Sequence, residues 1–166
     1  MESTAKLLGH PIHQMVIVFP LGLLTTSAVF EIIGGVTGKR HWSRASYYLL
    51  GGGVMTALGS AVPGVIDYLA IPKRTRAKRI GFLHGAGNLL VTGLFVSSSL
   101  LRRHRPGKPT APAISFSLAG TILALVTGWL GGELVDTLGI GVNEHAHVDA
   151  PSSLTTLRSA SPKIPA

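Results

Sequence analysis

The chain has 166 residues, of which only 13% are Asp, Glu, Lys or Arg, about half of the roughly 25% usual in soluble domains, and its mean hydropathy is +0.41. With no cysteine in the sequence, disulfides, Cys-ligated zinc and iron–sulphur clusters held by the chain's own thiolates are excluded. The formal net charge of +8 does not point to nucleic acid, because most basic residues cluster between apolar runs, with no base-stacking aromatics interleaved.

Apolar runs with few internal charges mark membrane-spanning helices, which need about 20 residues to cross ~30 Å of hydrocarbon. The first such run is introduced by Gly9-His10-Pro11-Ile12-His13. Proline suits the first helical position, where its missing N–H has no intrahelical partner, so Pro11 reads as a helix start with His10 as cap and His13 one turn in. The span covers residues 12–36, with Pro20 inside it and expected to bend it. Glu31 lies near its far end, ahead of Lys39, Arg40 and Arg44, and reads as a solvated or ion-paired helix end. A long apolar run broken by proline is not a cleavable signal peptide, so this helix is expected to stay in the mature protein.

The second span, residues 45–71, carries Gly52, Thr56 and Ser60 four apart, a spacing that lets a neighbouring backbone approach. Pro63 should kink it just before Asp67. A basic loop follows, with Lys73, Arg74, Arg76, Lys78 and Arg79. The third span, residues 80–101, places His84, Asn88 and Thr92 on one helix face. A second basic loop, 102–112, contains His104, read like His41 as a solvated interfacial residue. The fourth span, residues 113–136, has a small-residue stripe of Gly120, Ala124, Gly128 and Gly132 and a polar face of Trp129, Glu133 and Asp136. His145 and His147 lie past it in a solvated loop, and the Ser-, Pro- and Thr-rich tail from Ala150 is expected to be disordered.

Four spans put both termini on one side of the membrane. The polar ends of the spans then share that face: His10, His13, Asp67, Tyr68, His84, Asn88, Trp129, Glu133, Asp136, His145 and His147, whereas Glu31 alone of the acidic residues lies opposite. Lys and Arg near the span ends number seven on the far side (Lys39, Arg40, Arg44, Arg102, Arg103, Arg105, Lys108) against six on the terminal side (Lys6, Lys73, Arg74, Arg76, Lys78, Arg79), which sets no orientation.

On the terminal face, His13 and His84 sit near helix N-termini, where partial positive charge favours neutral imidazole, and Asp67, Glu133 and Asp136 sit near C-termini, where a carboxylate wants a cation. A metal ion, a haem iron or an arginine of the 72–79 loop relieves both tendencies. A haem needs two facing axial histidines, for which His13 and His84 are the natural pair and His10 the substitute for His13. A non-haem transition metal (iron, zinc or manganese) would take His10, His13, Asp67, His84 and Glu133. Carboxylates and histidines could also relay protons. Against all of these stands a bland reading in which Asp67 or Glu133 pairs with Arg76 or Arg79.

Three sets of residues resemble a known bacterial membrane family. They are Gly9-His10-Pro11-Ile12-His13 with Phe19-Pro20-Leu21-Gly22-Leu23, the stretch from Gly64 to Arg76 leading to His84 and Asn88, and Gly131-Gly132-Glu133-Leu134 with Gly139-Ile140-Gly141-Val142. The family is catalogued as domain of unknown function 2231, and the resemblance covers residues 9–142. His10, Pro11, His13, Pro20, Asp67, Pro72, Arg76, His84, Asn88 and Glu133 match its pattern; Gln14 departs from it, since a proline often follows the second histidine. The resemblance implies a four-helix membrane protein, and relatives joined to Rieske-type domains imply electron transfer, here with a separate redox protein as partner.

The sequence therefore predicts an all-α integral membrane four-helix bundle with both termini on one side. It divides into an N-terminal segment 1–11, a membrane domain 12–142 and a His-containing tail 143–166. The protein reads as a multi-pass component of the bacterial inner (cytoplasmic) membrane, with a second copy in a homodimer as a candidate partner, and not as an enzyme on its own. The leading function is redox or metal handling at a haem b or non-haem site, with Asn88 orienting His84. A non-catalytic scaffold or assembly partner is the alternative, and a proton or ion permease is disfavoured because no acidic residue lies at mid-bilayer.

Overall fold

The structure, a computed structural model, describes residues 1–154. The disorder expected from Ala150 onward falls mostly on residues 155–166, outside the described residues. The described chain is an all-α bundle of four apolar helices preceded by a short antiparallel ladder. In that ladder β1 (Lys6–Leu7) pairs with β2 (His10–Pro11), Lys6 opposite Pro11 and Leu7 opposite His10. Leu8 and Gly9 form the turn, both with positive φ (50° and 85°), as a two-residue hairpin of this handedness requires.

The first span is α1 (Ile12–Val16) and α2 (Val18–Thr37). Pro20 has no N–H for the Val16 carbonyl and its ring crowds that carbonyl, and the helix breaks beside it, at Ile17. The cap position belongs to Pro11 and not, as expected, to His10, which the ladder draws into extended backbone. The second span, α3 (Arg40–Ala70), runs through Pro63 without interruption. The third, α4 (Arg76–Arg102), starts where Thr75 Oγ1 accepts the Lys78 N–H at 3.1 Å, a side-chain N-cap. The fourth is α5 (Ala111–Gly132), with proline in its first turn, continued by a π-helical turn Glu133–Thr137.

Helices α2 and α3 pack along each other as one hairpin, α4 and α5 as a second, and the hairpins meet mainly through α3 and α4. The core where they meet is Leu50, Val54, Val91 and Phe95, flanked by Leu24, Val96, Leu123 and Ala124. Large side chains such as Leu21, Met55, Leu89 and Leu125 face outward, as helices apolar on every side do when lipid is the solvent. Close packing follows the expected small-residue stripes only in part: Gly120 belongs to one, and Gly53 lies beside the other. A Cβ on Gly53 would lie 2.5 Å from Leu24 and one on Gly120 3.2 Å from Phe95, whereas Gly128 and Gly132 face open space.

The N-terminal segment straps the terminal face. The Met1 ammonium donates to the Gly139 carbonyl and the Gly141 N–H donates to the Met1 carbonyl, both at 2.9 Å. The Asp67 carboxylate accepts from the Ser3 hydroxyl at 2.8 Å and from the Thr4 and Ala5 N–H groups at 2.7 and 3.0 Å. One short segment thus ties the exit of the second span to the exit of the fourth.

Candidate functional site

Alternation of the spans brings the start of the first and the start of the third to the same face, and there His13 and His84 approach. Their ring centroids are 6.4 Å apart with the planes at 88°. Each imidazole is held by the partner helix of its own hairpin. His13 Nδ1 lies 2.8 Å from the Ser60 carbonyl on α3, and His84 Nδ1 lies 2.8 Å from the Thr127 carbonyl on α5. A carbonyl only accepts, so Nδ1 carries the proton in both rings, and in the neutral imidazole Nε2 carries the lone pair.

Glycines make these contacts possible. A Cβ on Gly64 would sit 2.9 Å from His13 Nδ1, and one on Gly131 3.0 Å from His84 Cε1. Both are tighter than side-chain carbons ordinarily approach a ring, so a bare backbone at each position lets the imidazole lie against it.

Asn88, one turn after His84, lies between the two elements of its hairpin. Its Nδ2 is 3.1 Å from His84 Nε2, and its Oδ1 accepts from Thr127 Oγ1 at 2.8 Å. Thr127 therefore holds His84 twice, through its carbonyl and through Asn88. The network fixes both the tautomer and the ring plane of His84.

The other residues proposed as ligands stand apart. His10 is exposed on β2, with Nε2 3.2 Å from Ser153 Oγ. Asp67 is spent on the N-terminal strap. Glu133 pairs with Arg76 at 2.5 Å and accepts from Thr137 Oγ1 at 2.9 Å, so the pairing with loop arginine weighed for it is the contact present. Among the described residues no group of three or more His, Cys, Asp or Glu is placed to hold a metal ion. Of the five candidate metal ligands, only His13 and His84 come together.

A second polar cluster, at the opposite end of the bundle, escaped the sequence reading in part. Glu31 was expected as a solvated or ion-paired helix end, and Arg102 as a loop residue. Arg102 instead closes α4, and its side chain is fully buried. Its Nη2 donates to Glu31 Oε1 and Ser98 Oγ, each at 2.7 Å, and to the Ala113 carbonyl at 3.2 Å. The signal was Ser98, one turn before Arg102 on the same helix face.

On the terminal side, Lys6 hydrogen-bonds the Glu2 carboxylate, and its ammonium holds that carboxyl below the usual carboxylate range. Comparison with known proteins finds a family model described as "Predicted membrane protein (DUF2231)", matching residues 9–144. No curated protein and no solved structure matches the chain. The matched segment takes in all four helices, the His13–His84 pair and the buried Glu31–Arg102 pair, and the chain belongs to the DUF2231 family of predicted membrane proteins.

Proposed function

We propose that the protein is a redox component of the bacterial inner membrane that holds a haem b iron between His13 and His84. The observation that carries this reading is the pair itself: two imidazoles from two hairpins, centroids 6.4 Å apart, each with Nδ1 against a backbone carbonyl. A histidine so held presents Nε2 as the ligand atom. Metal–nitrogen bonds are about 2.0 Å, and a ring centroid lies about 1 Å from Nε2, so two imidazoles on opposite sides of one ion have centroids about 6 Å apart.

The donor count favours haem over a non-haem ion. Haem iron needs only axial ligands from the protein, whereas a non-haem site needs three or four protein donors, and the carboxylates are engaged elsewhere. His84 would offer Nε2 to the iron in place of its present contact with Asn88, with Nδ1 held by the Thr127 carbonyl. When bound, the haem would supply one-electron chemistry, with a separate redox protein as the exchange partner.

A second reading, a scaffold whose polar face pairs internally, is favoured by Asp67 and Glu133, which serve the strap and the Arg76 contact. Absorption spectra and metal analysis of protein purified in mild detergent separate the two. The haem reading predicts a Soret band with one haem per chain, lost in His13→Ala and in His84→Ala and kept in His10→Ala. A chain that takes up no haem on titration with haemin, or whose Soret band survives both substitutions, is the scaffold.

A further inference from the structure

We propose that the chain is a tandem duplication of one helical hairpin, and that Glu31 and Arg102, the same position in the two copies, bear opposite charges so that each hairpin pairs with the other kind and not with its own. The proposal is independent of any cofactor.

The argument starts from contacts made twice. His13 meets the Ser60 carbonyl as His84 meets the Thr127 carbonyl, both at 2.8 Å. Ser27 Oγ donates to the Ser46 carbonyl at 2.8 Å, and Ser98 Oγ to the Ala113 carbonyl at 2.6 Å. Gly53 lies bare against Leu24 as Gly120 does against Phe95, and Gly64 against His13 as Gly131 does against His84.

A single register relates all of them. His13, Leu24, Ser27 and Glu31 map onto His84, Phe95, Ser98 and Arg102, each 71 positions later. Ser46, Gly53, Ser60 and Gly64 map onto Ala113, Gly120, Thr127 and Gly131, each 67 positions later, so the first hairpin carries four more residues around its turn. Two unrelated hairpins share a packing distance easily. They do not share the same donor, acceptor and glycine at the same levels from one membrane face to the other.

Both copies start from the terminal face, so the axis relating them runs along the membrane normal, as it does for parallel repeats. Residues beside such an axis meet their own equivalents. His13 meets His84 at one end and Glu31 meets Arg102 at the other. Pairing of two first hairpins would set Glu31 against Glu31 in a buried site, and pairing of two second hairpins would set Arg102 against Arg102. An unpaired buried charge is strongly disfavoured, and a repulsive element against the wrong partner is how specificity between similar surfaces is obtained.

The repeat also says what an exchanged pair would find. Arg102 leans on Ser98 Oγ and the Ala113 carbonyl. The equivalent acceptors beside position 31 are Ser27 Oγ and the Ser46 carbonyl, already in the same mutual hydrogen bond. An arginine at position 31 therefore enters a site with its acceptors in place.

The test is a charge exchange in the full chain, read by thermal unfolding in detergent. Glu31→Arg and Arg102→Glu alone should each lower Tm by roughly 10 °C or abolish folding, and the double exchange should return Tm to near that of the unchanged chain. A double exchange no better than the singles overturns the proposal. A second reading guards against a merely tolerant site: in the unchanged chain Ser98→Ala should lower Tm more than Ser27→Ala, and in the exchanged chain the order should invert. The same order in both chains also overturns it.

Discussion

A methyl group is enough to test how the imidazoles are held. Alanine at position 64 or 131 puts a carbon about 3 Å from a ring that has no room to retreat, because the ring's Nδ1 is already on a carbonyl of the same helix. Gly64→Ala and Gly131→Ala should each cost about 1–3 kcal/mol from overpacking, with about 1 kcal/mol more where the hydrogen bond is lost. Gly128 has open space around it, and Gly128→Ala should be neutral or stabilising by up to about 1 kcal/mol through helix propensity. Thermal unfolding of the three variants in one detergent reads the contrast; equal effects at positions 64, 131 and 128 would mean that the rings do not rest on the bare backbone.

Among the elements, the strap of residues 1–11 is joined to the second span through one side chain, that of Asp67. Asp67 accepts three donors from Ser3, Thr4 and Ala5, and hydrogen bonds to a charged acceptor contribute about 1.5–3 kcal/mol each in favourable settings. Asp67→Ala should free the strap while leaving the spans intact, since the helices are stabilised by packing along α2–α3 and α4–α5. Trypsin should then cut at Lys6 much faster in the variant than in the unchanged chain, with no change in helical circular dichroism. Cleavage at the same rate would show that the ladder and the Met1 contacts suffice.

The spans themselves were legible because twenty apolar residues leave little choice of structure, but their ends were not. His41, Trp42 and Ser43 wind into α3, and Arg76 to Arg79 into α4, since polar residues at a membrane interface end the apolar run without ending the helix. The ladder left no trace because two-residue strands have no period to read, and the π-helical turn at Glu133–Thr137 follows α5 without a break that the sequence marks. His13 and His84 were legible as a pair from alternation alone. Arg102 was not, because the first of several basic residues at the end of a span reads as an anchor until the fold shows Glu31 opposite it.

For the whole molecule, the even number of spans predicts one topology whatever the orientation. The chain has no cysteine, so single cysteines report sidedness without background. Glu2→Cys and Val148→Cys should label from one side of sealed vesicles, and Lys39→Cys and Lys108→Cys from the other, because the two hairpin turns share the far face: a Cβ on Gly107 would lie 3.3 Å from Arg40. The fold also changes the charge count that governs which side is which. Arg102 is buried against Glu31 and no longer flanks the bilayer, which leaves six Lys and Arg near the span ends on each face. With the bias balanced, a few charges should decide the orientation. Changing Lys73, Arg74 and Arg79 to Gln together removes half of the cations near the span ends of the terminal face, and the labelling of Glu2→Cys should shift toward the non-cytoplasmic side. Labelling that ignores the triple change would mean that orientation is fixed by something other than the loop charges, with the buried pair and the strap as the remaining asymmetries between the faces.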